Sequence, residues 1–233
     1  MKHSGVIKTV LLAAIIAVGV GGAAVAGPFE DATAAYERQD YATALTLWRP
    51  LADKGNAMAQ FSLGNRFARG EGVTKNDAEA VKWYRKSADQ GLVAAQYNLG
   101  FMYANGEGVA KSDAEAVKWY LKAADQGLGK AQFNLGTMYA KGEGVAKNDA
   151  EAVGWYSKAA DQGVVEAQFN LGNRYARGEG VTESAVQAYK WWSLAATQGD
   201  EGAIKNKAII EKKMTREQIA EAQKLSVEWK PAK

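Results

Sequence analysis

Glu71, Glu107, Glu143 and Glu179 each stand inside a Gly-Glu-Gly tripeptide, at intervals of 36 residues. They are the acidic residues that a chain of this composition would need for general acid–base work. No cysteine is present and the one histidine is His3, so thiol nucleophiles, Ser-His-Asp triads and His- or Cys-ligated metals are excluded from the rest of the chain. None of the eight serines, Ser87 and Ser112 among them, has a lysine three residues on, which removes the Ser-x-x-Lys acylation motif. No phosphate-binding Gly-x-x-x-x-Gly-Lys-Ser/Thr occurs, and the acidic residues do not space as a calcium loop. An active site is needed once, whereas these glutamates recur once per interval. The expectation is a scaffold role for them, no cofactor, no metal and no enzyme.

The 233 residues carry a formal charge of +3. Part of that charge sits at the N-terminus, where Lys2 and Lys8 precede an uncharged stretch centred on 10–18 and the small residues Ala24, Val25 and Ala26. This is the three-part plan of a secretory leader, with cleavage expected after Ala26 and no stable membrane insertion afterwards. Without it, 27 basic residues face 26 acidic ones, which offers no electrostatic case for nucleic acid. The expected location is therefore periplasmic or extracellular.

The elements that would position any site follow from the interval of 36. Ala-Gln recurs at 59–60, 95–96, 131–132 and 167–168; Gln-Gly recurs at 90–91, 126–127, 162–163 and 198–199. Each unit reads as two helices. The first, from about Ala57 to Ala68, keeps Ala59, Leu63 and Phe67 on one side and stops at Gly70. The second starts at the column Asn76, Ser112, Asn148, Ser184, with Glu79, Glu115, Glu151 and Gln187 three residues on, a repeated capping box. It buries Ala80, Trp83, Tyr84 and Ala88. Gly64, Gly100, Gly136 and Gly172 interrupt the first helices at a cost of about 1 kcal/mol each relative to Ala. That cost implies close contact with the Trp–Tyr pair of the facing helix. Upstream, Phe29–Arg38 and Tyr41–Lys54 make a shorter pair, in which Pro50 should kink or end the second helix early. Downstream, a helix over Glu201–Lys213 and one opened by Thr215 and Gln218 cap the array. The organisation expected is a leader (1–26), an N-terminal helix pair (27–55), four repeats (57–92, 93–128, 129–164, 165–200, within a region starting at 56) and capping helices (201–233).

The unit Ala-Gln-Phe-x-Leu-Gly-x-x-Tyr-Ala-x-Gly-Glu-Gly-Val, followed by Asp-Ala-Glu-Ala-Val-Lys-Trp-Tyr, resembles the Sel-one-like repeat family, relatives of the tetratricopeptide repeats. The resemblance implies an all-α, right-handed α/α superhelical solenoid with a concave face. It also implies an adaptor that holds a protein or peptide partner there. Some exported relatives bind or hydrolyse β-lactams. They carry paired cysteines that this chain lacks.

Columns that change from unit to unit are free to recognise a partner. On a helical wheel, positions 58, 62, 65 and 69 fall opposite the recurrent residues, with 66 at the edge. The column at 62 holds Ser62, Asn98, Asn134 and Asn170, a row able to pair an extended backbone. Phe101, Met102 and Met138 give an apolar middle; Arg66, Arg69, Arg174 and Arg177 give basic ends. The expected function is an exported protein- or peptide-binding adaptor using these residues. The alternatives are a β-lactam-binding or β-lactamase-like cell-wall protein and an oligomeric scaffold joined by the last helix.

Overall fold

A computed structural model describes residues 27–232; the expected leader lies outside the described residues. Among the described residues every regular element is helical. In chain order the helices are α1 (Pro28–Glu37), α2 (Tyr41–Asp53), α3 (Ala57–Arg69), α4 (Asp77–Asp89), α5 (Val93–Asn105) and α6 (Asp113–Asp125). They continue as α7 (Gly129–Lys141), α8 (Asp149–Asp161), α9 (Val165–Arg177), α10 (Ala185–Thr197), α11 (Glu201–Glu211) and α12 (Arg216–Glu228). None is long and apolar enough to cross a membrane. The chain forms two compact units, one ending at Ala95 and one beginning at Gln96.

In the first unit, α1 packs on α2, α2 on α3 and α3 on α4. Their core joins Ala32, Ala35, Ala44, Trp48, Ala59, Leu63 and Trp83. Small residues let the helices approach while the large ones each contribute about 1.5–3 kcal/mol by leaving water. Asp40 caps α2 by accepting the Thr43 N–H at 3.1 Å, and Asn56 caps α3 through the Ala59 N–H at 2.9 Å. Pro50 does not end α2 early: the helix continues to Asp53 and the Lys54 N–H closes on the Pro50 carbonyl at 3.2 Å. A proline in the last turn removes one N–H only, and the bonds after it are intact.

The second unit repeats one helix-pair interface, α7 on α8 and α9 on α10, with α6 on α7 and α8 on α9 joining successive pairs. Its core includes Ala152, Tyr156, Ala167, Leu171 and Trp191. The glycine columns have the cause expected of them. A Cβ on Gly136 would lie 2.8 Å from the Tyr156 ring, and one on Gly172 would lie 2.6 Å from Trp192. The same holds in the first unit, where Gly64 faces Tyr84 at 2.6 Å.

The capping column is half as expected. Asn76, Ser112, Asn148 and Ser184 each accept the N–H three residues on. Their own N–H groups, which a capping box would hand to the glutamate, instead bond the carbonyls of Phe67, Tyr103, Tyr139 and Tyr175 at 2.9 Å. That bond fastens each second helix to the first helix before it. Glu79 and Glu115 turn outward to Lys82 and Lys118. The reciprocal box forms at Thr215 and Gln218, opening α12. This last helix lies on α10, and beyond it Trp229 packs into the core around Tyr156 and Trp191. The Ala232 N–H then bonds the Asp161 carbonyl at 2.7 Å.

Candidate partner-binding surface

The recurrent polar residues are consumed by the scaffold. Gln60 donates to the Ala52 carbonyl at 3.0 Å and accepts from Gln90 Nε2 at 2.7 Å. In the second unit Gln132 and Gln168 donate to Ala124 and Ala160, while Gln162 and Gln198 donate to Gln132 and Gln168 at 2.8 and 3.0 Å. The Ala-Gln and Gln-Gly motifs are thus the buried and the outer half of one repeated hydrogen-bonded pair. Lys86, Lys122 and Lys158 lie 4.2, 4.0 and 3.9 Å over the rings of Trp83, Trp119 and Trp155, which covers the indoles on the solvent side.

Two of the turn glutamates are also taken up by the fold. Arg66 Nη1 approaches Glu71 to 3.0 Å and Arg174 Nη1 approaches Glu179 to 2.9 Å. Arg174 also meets Asp149 at 2.7 Å. Glu143 faces Lys141 at 3.7 Å. Among the described residues no three acidic or imidazole side chains converge on a point that could hold a metal.

The variable columns do not form one exposed stripe. Column 66 is interior: Arg66, Met102 and Met138 are 1%, 3% and 5% exposed. Arg66 stacks 3.8 Å over the Tyr36 ring, and burial pulls its guanidinium pKa down. A first helix packs on its own second helix and on the preceding one, as α7 does on α8 and α6. Two neighbours cover a wider arc than a one-sided wheel assumes. Arg174 is held by its two carboxylates. Phe101 is half-buried, and Asn98, Asn134 and Asn170 are half-buried alike. Asn134 hydrogen-bonds the hydroxyls of Tyr97 and Tyr120. Tyr84 and Tyr156 find their partners at column 65, in Asn65 and Thr137; Phe101 offers none to Tyr120. Column 69 faces outward, with Arg177 exposed and Arg69 half-buried beside Glu71.

In the second unit the outward columns converge on a cleft of about 440 Å³ between α9, α10 and α11. Asn173 and Arg177 line one side, and Asn206, Ile209 and Lys213 line the other, over Trp192. The Asn206 Nδ2 donates to Asn173 Oδ1 at 3.1 Å. Asn206 and Ile209 of α11 and Lys213 just beyond it are absent from the expected site. Asn206, Ile209 and Lys213 stand 36 residues after Asn170, Asn173 and Arg177, so carrying the grid one helix further finds them. Lys207 stands in the leucine column and sits 5.4 Å over the Tyr189 ring.

The Sel1 repeat profile matches residues 57–92, 93–128, 129–164 and 165–200. No curated protein matches the chain. Among solved structures, a Sel1 repeat protein from Oxalobacter formigenes is 33% identical with a TM-score of 0.75, over 87% of this chain and 85% of that one. A protective antigen present in uropathogenic Escherichia coli strains, displaying an SLR fold, is 34% identical with a TM-score of 0.57. That match covers 87% of this chain and 52% of the antigen, so this chain spans about half of the antigen's length. Sel1 repeat proteins generally mediate protein–protein interaction on a fold that is typically non-catalytic. Helix pairs of one pattern and four unbroken repeat matches make this chain a member of the Sel1 repeat family.

Proposed function

We propose that the chain is an exported adaptor that holds a protein or peptide partner on its first helices and performs no chemistry. The observation that carries this reading is the division of labour along those helices. The recurrent Gln, Gly, Tyr and Trp columns are spent on internal contacts, while the columns of Asn173 and Arg177 change from repeat to repeat and reach the surface. A surface left free by the packing and varied in chemistry is what selective recognition requires. Export rests on the basic, apolar and small-residue succession over residues 1–26. Mass spectrometry of the protein from cell fractions tests it: an N-terminus at Gly27 in the envelope or medium supports export, and an intact Met1 in the cytosol ends it.

The adaptor reading is tested by crosslinked capture from the envelope fraction. The bait is the chain from Gly27 to Lys233, beside a Phe101→Ser, Asn170→Ala variant of unchanged melting temperature. A protein retained by the first bait and lost by the second supports the reading. Equal capture moves the partner off the first helices.

A further inference from the structure

We infer that the cleft between α9 and α11 binds an extended peptide segment in which an apolar side chain is flanked by acidic residues. The inference rests on the adaptor reading and gives the partner its chemistry. Three observations point to such a ligand. Ile209 is 47% exposed at the position where earlier repeats carry Asn65, Phe101, Thr137 and Asn173. A branched aliphatic at the wall of a cleft over Trp192 offers an apolar side chain a place out of water, and about 440 Å³ accommodates one or two. Arg177 and Lys213 flank the same cleft against the single carboxylate of Glu183. Neither cation is buried in the scaffold: Arg177 has only a distant contact to Glu179, at 3.7 Å, and Lys213 has no ion pair among the described residues. The sign of the field therefore favours acidic flanks.

The third observation selects a peptide over a free fatty or aromatic acid. Asn206 gives one amide hydrogen to Asn173, which leaves the Asn173 Nδ2 and the Asn206 Oδ1 uncommitted among the described residues. One donor and one acceptor, held side by side at the cleft, complement the C=O and N–H of an extended backbone.

The test uses the full chain with labelled isoleucine methyl groups and two probes, acetyl-Gly-Glu-Leu-Glu-Gly-amide and acetyl-Gly-Lys-Leu-Lys-Gly-amide. The acidic probe should shift the Ile209 and Ile210 methyl signals and bind at least about tenfold more tightly than the basic one, less so as salt is added. Ile209→Lys should abolish the Ile210 shift and weaken binding of the acidic probe at an unchanged melting temperature, since the Ile209 side chain is half exposed. The paired replacement Arg177→Glu, Lys213→Glu should invert the ranking of the probes, a result that loss of folding cannot mimic. Equal affinity for both probes, shifts confined to other isoleucines, or binding indifferent to Ile209→Lys would each overturn the proposal. So would methyl shifts that depend on protein concentration without any peptide, because the cleft would then be filled by a second copy. Retained capture of an envelope partner by the Ile209→Lys bait would reject this cleft and leave the adaptor reading standing.

Discussion

Gln162 Nε2 donates to Gln132 Oε1 at 2.8 Å, and Gln132 passes its own amide hydrogen to the Ala124 carbonyl at 3.1 Å. The two residues belong to motifs 30 positions apart in sequence, and the relation joins the ends of two helix pairs through one buried side chain. Gln132 is 5% exposed, so water cannot replace it. Replacing Gln132 by Leu should cost about 1–3 kcal/mol, since the buried Ala124 carbonyl is left with the Gly127 N–H and the Gln162 amide is left to water. Replacing the exposed Gln162 by Leu should cost less, about 1 kcal/mol. Denaturant titration of both variants checks the order.

Two glycines on neighbouring helices should respond to alanine with opposite sign. Gly154 lies mid-helix in α8, is exposed, and a Cβ there would meet nothing within 4 Å. Gly154→Ala should stabilise the second unit by about 1 kcal/mol, the propensity difference alone. Gly136→Ala, with its Cβ at 2.8 Å from the Tyr156 ring, should destabilise by about 1–3 kcal/mol. Thermal melts of the two variants decide this.

Arg66 and Glu71 form a lopsided pair. The arginine side chain is 2% exposed, the glutamate 25%, and Nη1 makes no aligned hydrogen bond despite the 3.0 Å approach. Removing the carboxylate strands a buried cation; removing the cation leaves a carboxylate that still reaches water and Arg69, 3.9 Å away. Glu71→Gln should therefore cost about 2–4 kcal/mol. Arg66→Met, which installs the residue already used at Met102 and Met138, should cost under about 1.5 kcal/mol. Equal losses in denaturant unfolding would contradict the asymmetry.

Alkaline pH should unfold the protein through its tyrosines. Burial raises the hydroxyl pKa of Tyr97, Tyr120 and Tyr156 above the value of an unfolded chain, about 10. Below pH about 10 both states are protonated and the stabilisation is complete. Above it the unfolded state releases protons that the folded state retains, so stability falls as pH rises toward the folded values. Phenolate absorbance should then rise together with the loss of helical circular dichroism, and Tyr120→Phe should soften the pH slope.

The helix pairs and their glycine contacts were legible because they repeat. Gly64 and Tyr84 are 20 residues apart in a pattern printed four times, and a local rule suffices to join them. The burial of Arg66 was not legible, because a wheel describes one helix against one neighbour and α3 has two. Nor was the use of Asn134 by Tyr97 and by Tyr120, whose own repeat carries Phe101 where the next carries Thr137. Compensation of this kind depends on a residue in another repeat. The register into α11 was readable from the interval of 36, yet the cleft at Ile209 was not, because it takes side chains from three helices to enclose it.

The second glycine of the last two turns has a bearing on how such a chain can be built. Gly144 and Gly180, at φ +72° and +77°, rest on the peptide groups of Asp113 and Asp149, where any side chain would collide with main chain. The contact is between backbones, so it is indifferent to which residues decorate either helix. A duplicated gene segment of 36 codons therefore arrives with its junction already compatible, and substitutions on the outside can accumulate afterwards without disturbing it. A gain or loss of one codon in the turn has no such freedom. The geometry tolerates a change in the number of repeats and not in the length of one.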